Sequence, residues 1–274
     1  MQESPSHPAA SGPFHWDAAA YAVHSEVQWA QARELIRQLK LRGDEQVLDA
    51  GCGDGKITAE IAARLPRGRV TGVDISPEMI QFAQAHHAGE NITNLDFQVM
   101  DVRSLKAARP LDLIFSNAAL HWVSDHEAFF QSASRVLKPG GRLMVSCGGR
   151  GNAQEVFLVM RPILRQERWR EFFRAMPLPY FFYPLENYRA WLARANFQLQ
   201  RLELAPQDAG YGGADDFAEW LRTTWLPYVQ RVPETLREEF IETVTRHFLE
   251  KHPLDAAGRV RVRMVRLEMD AVKI

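Results

Sequence analysis

The chain has 274 residues, with 33 Lys and Arg against 34 Asp and Glu, a net charge of −1 and 46% hydrophobic residues. This length accommodates one large α/β domain with an elaboration or two small domains, and the composition excludes a chain that is disordered throughout. The balanced charge argues against nucleic acid as a partner, because binding to a phosphate backbone needs a positive surface.

The cysteines and the apolar segments give further exclusions. Cys52 and Cys147 lie far apart, and neither has the spacing to other cysteines or histidines that zinc sites or disulfide frameworks show. Residues 1–13 have no basic start and no apolar stretch, and no apolar run approaches the ~18 residues that cross a bilayer. We therefore expect a cytoplasmic protein, a monomer or homodimer, with no metal site and with neither a membrane nor nucleic acid as partner.

Strands and helices alternate through the first half of the chain. Residues 1–13 are rich in Pro, Ser and Ala and are predicted to form a disordered tail, and a helix over Val27–Leu41 precedes the first strand. The elements that follow are strand Gln46–Ala50, helix Lys56–Leu65, strand Arg69–Ile75, helix Pro77–His87, strand Leu95–Met100, strand Leu111–Ser116, helix Glu127–Leu137 and strand Arg142–Cys147. This alternation predicts a parallel sheet with helices on both of its faces.

The pattern after Cys147 is less regular. A helix-like segment over residues 152–175 contains Pro162, and an aromatic, proline-punctuated segment follows over residues 176–184. The remaining predicted elements are helix Leu185–Ala195, strand Phe197–Leu204, loop Pro206–Gly213, helices Asp215–Trp225 and Pro233–Lys251, and strand Arg259–Asp270. The alternation of the last strand changes phase between Met264 and Val265, which predicts a bulge. We expect one domain over residues 14–274, in which residues 206–258 form a helical cap inserted before the last strand.

A glycine-rich loop follows the first strand. Gly51, Gly53 and Gly55 alternate with other residues directly before the helix that begins at Lys56. Glycines allow a sharp turn and the close approach of a ligand to the backbone. Asp74 ends the second strand, 19 residues after the last of these glycines, where an acid accepts hydrogen bonds from a ribose diol. Together the loop and the acid predict a cofactor that contains a nucleoside.

The spacing of the loop distinguishes between cofactors. A dinucleotide fingerprint is GxGxxG, whereas this loop is GxGxG and is preceded by Asp49, which disfavours an NAD dehydrogenase. The run from Asp49 to Gly55 resembles the first motif of the class I S-adenosylmethionine-dependent methyltransferases. The resemblance covers residues 14–147 and includes the turn Leu137–Gly141. It implies a Rossmann-like α/β fold with a seven-stranded, mostly parallel sheet whose last strand is antiparallel, and S-adenosylmethionine as the cofactor.

The resemblance also implies a set of cofactor-binding residues. In this family the positions that match Asp74 and Asp101 contact the ribose and the adenine amine, and Val102 and Asn117 complete the site. Tyr21 precedes the first helix and is a candidate for contact with the methionine carboxylate. The full expected set is Asp49, Gly51, Cys52, Gly53, Gly55, Asp74, Ile75, Met79, Asp101, Val102, Asn117 and Tyr21.

The segment after the fourth strand bears on the methyl acceptor. From Ser116 to Trp122 it contains Ser-Asn-Ala-Ala-Leu-His-Trp, not the Asn/Asp-Pro-Pro-Tyr type sequence of many methyltransferases of base or amide nitrogens. It resembles the trans-aconitate, malonyl-carrier-protein and juvenile hormone acid methyltransferases, all of which esterify a carboxylate. In the last group a glutamine that matches Gln28 and a tryptophan that matches Trp122 hold the acceptor carboxylate.

The chemistry of a carboxylate acceptor is consistent with these residues. A carboxylate is ionised at neutral pH and needs no general base, whereas Gln28 and Trp122 offer neutral N–H donors that orient it. We therefore expect O-methylation of the carboxylate of a small or fatty acid. The alternative is methylation of a phenol or quinol oxygen, or of an activated carbon, with His121 as base. A protein that senses the cofactor without turnover is a further alternative.

Overall fold

Seven strands of the computed structural model, which describes residues 33–87 and 92–274, form one sheet in the order β3-β2-β1-β4-β5-β7-β6. The strands are β1 Gln46–Ala50, β2 Arg69–Asp74, β3 Leu95–Val99, β4 Leu111–Asn117, β5 Leu137–Gly148, β6 Phe197–Tyr211 and β7 Val260–Lys273. Strands β1 to β5 pair in parallel, and β7 pairs antiparallel with both β5 and β6. The predicted mostly parallel sheet with an antiparallel last strand is confirmed.

Helices cover both faces of this sheet. They are α1 (residues 33–38), α2 Lys56–Ala62, α3 Pro77–His87, α4 His126–Val136, α5 Gln154–Ile163, α6 Arg170–Phe173, α7 Leu185–Arg194, α8 Ala214–Thr224, α9 Leu226–Val229 and α10 Arg237–Lys251. Successive side chains of β4 point to opposite faces of the sheet, as in any strand. Phe115 packs in a core with α1 and α2, whereas Ile114 packs in a core with α4 and α7. No helix of the described segments is long and apolar enough to cross a membrane.

The helical cap has a core of its own. It buries Trp169, Phe217, Phe240 and Phe248 together with Val260 of β7. These side chains come from the segment that contains α5 and α6 as well as from α8 and α10. The cap therefore includes the helix-like segment with Pro162, which the sequence pattern left outside it.

The prediction of a loop at Pro206–Gly213 was wrong. Strand β6 continues through Pro206 to Tyr211 and pairs with β7 as far as Val260. Proline lacks the N–H that a central strand needs, but β6 lies at the edge of the sheet and has one neighbouring strand. The helical part of the cap consequently begins at Ala214 and not at residue 206.

The predicted bulge in the last strand was also wrong. Strands β6 and β7 pair without a shift across Met264 and Val265, and the irregularity lies in β6 between Leu199 and Arg201. The phase change in β7 marks a change of the buried face. Val260 and the residues near it face the cap core, whereas Leu267 packs against α4 and α7 after β5 joins the pairing.

Candidate active site

The loop after β1 depends on glycine at three positions. Gly51, Gly53 and Gly55 have φ angles of 80°, 53° and 81°, in the left-handed region that other residues rarely adopt. A Cβ atom on Gly51 would overlap the Cβ of Ala119 in the loop after β4, and one on Gly55 would overlap Ala83 of α3. The loop therefore contacts both neighbours at distances that a side chain would prevent.

Asp74 connects this loop to the end of β2. Its Oδ2 accepts a hydrogen bond from the backbone N–H of Gly53 at 3.0 Å, and its Oδ1 accepts one from Ser76 at 2.9 Å. Burial raises the pKa of the Asp74 carboxyl group above its ordinary value despite these hydrogen bonds. An ionised carboxylate has about four acceptor sites, so Asp74 can still accept a hydrogen bond from a further donor. Ile75, which follows directly, is 66% exposed.

Among the predicted cofactor residues, Asp49, Cys52 and Met79 have side chains buried in the core. The Oδ2 of Asp49 accepts a hydrogen bond from the Thr58 hydroxyl at 2.7 Å, and burial raises the pKa of Asp49 to about 7. The Cys52 thiol lies in the core beside α2 and α3, where burial raises its pKa well above the ordinary value. Met79 is buried in α3.

Asp101 begins the short 3-10 helix Val102–Ser104 after β3. It accepts a hydrogen bond from the backbone N–H of Arg103 at 2.8 Å and forms a salt bridge with the Arg103 guanidinium at 2.6 Å. Burial raises the pKa of Asp101, but these hydrogen bonds and the Arg103 charge outweigh it and hold the pKa below its ordinary value. The carboxylate is therefore ionised at neutral pH, and Val102 beside it is buried.

His121 lies after β4, in the short 3-10 helix Leu120–Trp122. The backbone N–H of Gly148 donates a hydrogen bond to His121 Nδ1 at 3.3 Å, so that Nε2 carries the proton of the neutral ring. Burial and the positive charge of Arg266 lower the pKa of His121 to about 3. At neutral pH the side chain is an uncharged donor, and no acceptor for Nε2–H lies in the part of the chain that the structure describes.

Aromatic rings surround this histidine. The ring centroid of Trp122 lies 5.3 Å from that of His121, and Tyr180 and Phe182 lie at 6.1 and 6.3 Å. The aromatic segment predicted over residues 176–184 therefore reaches the loop after β4. Its position is maintained by a hydrogen bond of 2.9 Å from the backbone N–H of Phe181 to the His121 carbonyl oxygen.

The same segment connects the site to the cap. The Tyr180 hydroxyl donates to the Thr224 carbonyl oxygen at 3.2 Å, at the end of α8. The Tyr180 ring also lies 6.0 Å from that of Trp225, which is buried in the cap core. Burial raises the pKa of Tyr180 well above its ordinary value, so the hydroxyl stays protonated.

Arg266 of β7 also enters this region, although no sequence motif indicates it. Its Nη2 lies 2.7 Å from Asn117 Oδ1 and its Nε lies 2.9 Å from the Ser146 hydroxyl. Burial lowers the pKa of the guanidinium. Asn117 is only 6% exposed, and its Nδ2 has no hydrogen-bond partner among the described residues. The hydrogen bond from Arg266 assigns Oδ1 as the acceptor and therefore leaves Nδ2 as an unsatisfied donor.

Gln28 and Tyr21 lie outside the described residues. In residues 33–87 and 92–274, no group of three or more His, Cys, Asp or Glu side chains is arranged to hold a metal ion.

Comparison with known proteins connects this geometry with an activity. Residues 41–171 match the protein family described as "Methyltransferase domain". The trans-aconitate 2-methyltransferase of Methylobacterium nodulans is 29% identical over 255 residues, which are 92% of this chain and 96% of that protein. The chain is an S-adenosylmethionine-dependent methyltransferase.

Two further comparisons agree with this assignment. The malonyl-[acyl-carrier protein] O-methyltransferase of Hahella chejuensis is 38% identical to the methyltransferase over 134 residues, 48% of this chain and 47% of that protein. The YcgJ protein of Bacillus subtilis has the same fold, with a TM-score of 0.61 and 19% identity over 89% of this chain and 98% of that one.

The magnesium protoporphyrin IX methyltransferase of Synechocystis, solved with bound S-adenosylhomocysteine, also shares the fold. Its TM-score is 0.55, with 14% identity over 97% of this chain and 90% of that one.

The strand ends of this methyltransferase fit S-adenosylmethionine. The glycines of the loop after β1 have no side chains that would block a ligand. The Asp74 carboxylate is positioned by hydrogen bonds from Gly53 and Ser76 and can still accept a hydrogen bond from a hydroxyl group. Ile75 presents an exposed apolar side chain beside that carboxylate. The unsatisfied Nδ2 of Asn117 is a donor that suits an anionic or carbonyl oxygen. The glycine loop, the Asp74 carboxylate and the Asn117 amide thus lie at the carboxyl ends of β1, β2 and β4, where sheets of this type bind ligands.

Proposed function

We propose that this methyltransferase transfers the methyl group of S-adenosylmethionine to the carboxylate of a small or fatty acid and forms a methyl ester. The observation that carries the proposal is the state of His121. Its Nδ1 accepts a hydrogen bond from Gly148, its Nε2 carries the proton, and its pKa of about 3 keeps the ring neutral. A phenol or an activated carbon needs a base in this position, whereas a carboxylate needs none.

Tyr180, a second ionisable group beside the histidine, supports the same acceptor. The Tyr180 hydroxyl donates to a backbone carbonyl, and its raised pKa makes it a poorer acid than free tyrosine. A proton acceptor that is ready at neutral pH is thus missing from the described part of this aromatic cluster. The alternative with His121 as base is disfavoured on these grounds.

The names of the relatives support a carboxylate acceptor. The name of one relative gives trans-aconitate as its methyl acceptor, and the name of the other gives a malonyl-[acyl-carrier protein] that is methylated on oxygen. Trans-aconitate and a malonyl thioester both carry free carboxylates. The similarity to the first relative extends over 92% of this chain.

We assign the residues at the strand ends to the cofactor. Asp74 accepts hydrogen bonds from the ribose, Asp101 accepts one from the adenine amine, and Ile75 contacts the adenine ring. The glycine loop allows the close approach of the methionine part. When bound, S-adenosylmethionine supplies a methyl group on a positively charged sulfur, which an ionised carboxylate attacks.

We assign the acceptor carboxylate to neutral donors in the loop after β4. His121 Nε2–H and the indole N–H of Trp122 orient the carboxylate, and Gln28 is proposed as a third donor. Neutral donors align the nucleophile without cancelling its charge, so that binding does not remove its reactivity. The surrounding rings of Tyr180 and Phe182 exclude water and strengthen these hydrogen bonds.

Mass spectrometry of the products tests this proposal. The protein is incubated with S-adenosylmethionine and trans-aconitate, medium-chain and long-chain fatty acids, farnesoic acid or a malonyl thioester, alongside phenols and quinols. We expect a product 14 mass units heavier than one of the acids. Mild base should hydrolyse this product back to the acid, as it hydrolyses a methyl ester. Methylation of phenols or quinols alone would contradict the proposal. Calorimetric titration with S-adenosylhomocysteine establishes that the protein tested is folded and binds its cofactor product.

A further inference from the structure

Asn152 lies in the loop between β5 and α5, and hydrogen bonds with the backbone determine its orientation. Its Oδ1 accepts a hydrogen bond from the backbone N–H of Val265 at 3.0 Å, and its own backbone N–H donates to the Gly149 carbonyl oxygen at 3.0 Å. Because a backbone N–H can only donate, the first of these bonds identifies the amide oxygen and leaves Nδ2 as the donor. Within residues 33–87 and 92–274, Nδ2 has no hydrogen-bond partner.

Gly148, the last residue of β5, brings this amide next to His121. A Cβ atom on the glycine would lie 3.1 Å from Asn152 Nδ2 and 3.5 Å from His121 Cγ. The same atom would lie 2.9 Å from Cε1 of Phe182. The φ angle of Gly148 is outside the left-handed region, so the close approach of these side chains, and not the backbone conformation, requires glycine here. The amide nitrogen and the imidazole ring are therefore neighbours across the glycine whose N–H orients the histidine.

The surroundings of the amide make an unpaired donor unfavourable once an acceptor is bound. Asn152 is partly exposed, and Phe182 beside it stacks on Tyr180 with ring centroids 6.0 Å apart and an interplanar angle of 7°. An acceptor bound beside His121 displaces solvent from this region. An N–H that loses solvent without gaining another partner is costly, so an acceptor that places an oxygen here is favoured over one that does not.

We propose that Asn152 is an acceptor-binding residue whose Nδ2–H donates a hydrogen bond to the carboxylate that His121 orients. The inference rests on the proposed function. An ionised carboxylate has two oxygens and about four acceptor sites, so two donors can hold it while one lone pair stays directed at the methyl group. The amide is uncharged, like the neutral imidazole. It therefore fixes the direction of the nucleophile without cancelling its charge.

The variants must separate this role from a structural one, since Oδ1 of Asn152 also satisfies the backbone N–H of Val265. Asn152→Asp keeps an oxygen for Val265 and replaces the donor with a second, negatively charged oxygen. Asn152→Ala removes both groups. Gln154→Glu is the matched control, because it makes the same change from amide to carboxylate two residues away, on an exposed side chain.

Calorimetry measures the binding of trans-aconitate and of decanoate to each protein in the presence of saturating S-adenosylhomocysteine. We expect Asn152→Ala to weaken binding of the acid by about 10-fold, as the loss of a hydrogen bond to a charged group does. Asn152→Asp should weaken it by more than about 100-fold, because like charges then face each other. Gln154→Glu should resemble the wild type, and every variant should bind S-adenosylhomocysteine within about threefold of the wild type.

Thermal unfolding should rank the two variants in the opposite order. Asn152→Asp should keep a Tm near that of the wild type, whereas Asn152→Ala should have a lower Tm because the Val265 N–H loses its acceptor. If the asparagine were purely structural, alanine would be the worse substitution in both measurements. The reversed order is therefore the signature of a donor that contacts the acceptor.

Two results would overturn the inference alone. One is an Asn152→Asp variant that binds the acid, or forms the ester with a kcat/KM, equal to that of the wild type. The other is a parallel loss of S-adenosylhomocysteine affinity, which would assign the amide to the methionine carboxylate of the cofactor. If the wild type binds neither acid and no acid in the product assay yields an ester, the proposed function fails, and the inference fails with it.

Discussion

The backbone N–H of Gly148 donates a hydrogen bond to Nδ1 of His121, across the ends of β5 and β4, at 3.3 Å. This contact determines which ring nitrogen carries the proton, and therefore determines what the histidine can do. With Nδ1 occupied and Nε2 protonated, His121 offers a donor and no basic nitrogen. A histidine that resembles a general base in the sequence is thereby a neutral hydrogen-bond donor in the structure.

His121→Gln and His121→Ala test this assignment. Glutamine retains an N–H donor, so we expect kcat/KM for the acid acceptor to fall by less than about 10-fold, whereas alanine should reduce it by about 10- to 100-fold. Between about pH 6 and 8.5 the pH profile of kcat/KM should be the same for the wild type and His121→Gln, because a pKa of about 3 places the titration of His121 far below this range. A rise in rate with a midpoint near pH 6.5 that disappears in His121→Gln would identify the histidine as a base.

Much of this site was predictable from the sequence because its signals are local. The glycine spacing after β1 and the acid at the end of β2 lie within one βαβ unit, and the structure joins them through the hydrogen bond from Gly53 to Asp74. The segment from Asn117 to Trp122 was likewise recognisable, because its polar residues lie close together in the sequence.

Arg266 and the extension of β6 were not predictable, because each depends on contacts between distant segments. Arg266 follows Arg259, Arg261 and Arg263 in a strand, where alternating arginines indicate a solvent-exposed face. The change of phase near Met264 was the available signal, but it suggested a bulge and not a change of buried face. Strand β6 can continue through Pro206 because it lies at the edge of the sheet. The sequence around a proline does not show whether its strand lies at an edge.

Asp74→Asn tests the proposed ribose contact. The substitution removes the charge from a side chain that accepts hydrogen bonds from Gly53 and Ser76, and we expect S-adenosylhomocysteine to bind about 100-fold more weakly by calorimetry. Asp96→Asn on the neighbouring strand β3 is the control, because its Oδ2 accepts a hydrogen bond from Gln98 away from the loop. Equal affinities for Asp74→Asn and the wild type would remove Asp74 from the cofactor site.

Asp49→Asn tests the consequence of burying a carboxyl group. The folded-state pKa of Asp49 is about 7, above the ordinary value of 3.8, so between these pH values the folded protein holds a proton that the unfolded chain has released. Stability from this group therefore falls as the pH rises through this window, by up to about 4 kcal/mol.

Asparagine cannot ionise but still accepts the hydrogen bond from the Thr58 hydroxyl. We expect the free energy of unfolding of Asp49→Asn minus that of the wild type to be about 2 to 4 kcal/mol more positive at pH 8 than at pH 5, so that the variant gains stability relative to the wild type as the pH rises. Urea unfolding at the two pH values measures this difference. A difference that does not change with pH would show that Asp49 ionises normally in the folded protein.

Gly51→Ala tests the contact between the loops after β1 and β4. Alanine at this position adopts a positive φ with strain and also overlaps the Cβ of Ala119, so we expect a loss of about 2 to 4 kcal/mol in stability and a weaker affinity for S-adenosylhomocysteine. Gly140→Ala separates the two effects, because Gly140 has a similar φ of 77° with no atom near its Cβ position.

We expect Gly140→Ala to lose only about 1 to 2 kcal/mol, from backbone strain, and to bind S-adenosylhomocysteine like the wild type. The double variant Gly51→Ala with Ala119→Gly should recover part of the loss, since it removes the methyl group that the new Cβ meets. Thermal unfolding and calorimetry measure both effects. If Gly51→Ala and Gly140→Ala behave alike, backbone strain accounts for the whole effect, and the two loops do not need to touch for the cofactor to bind.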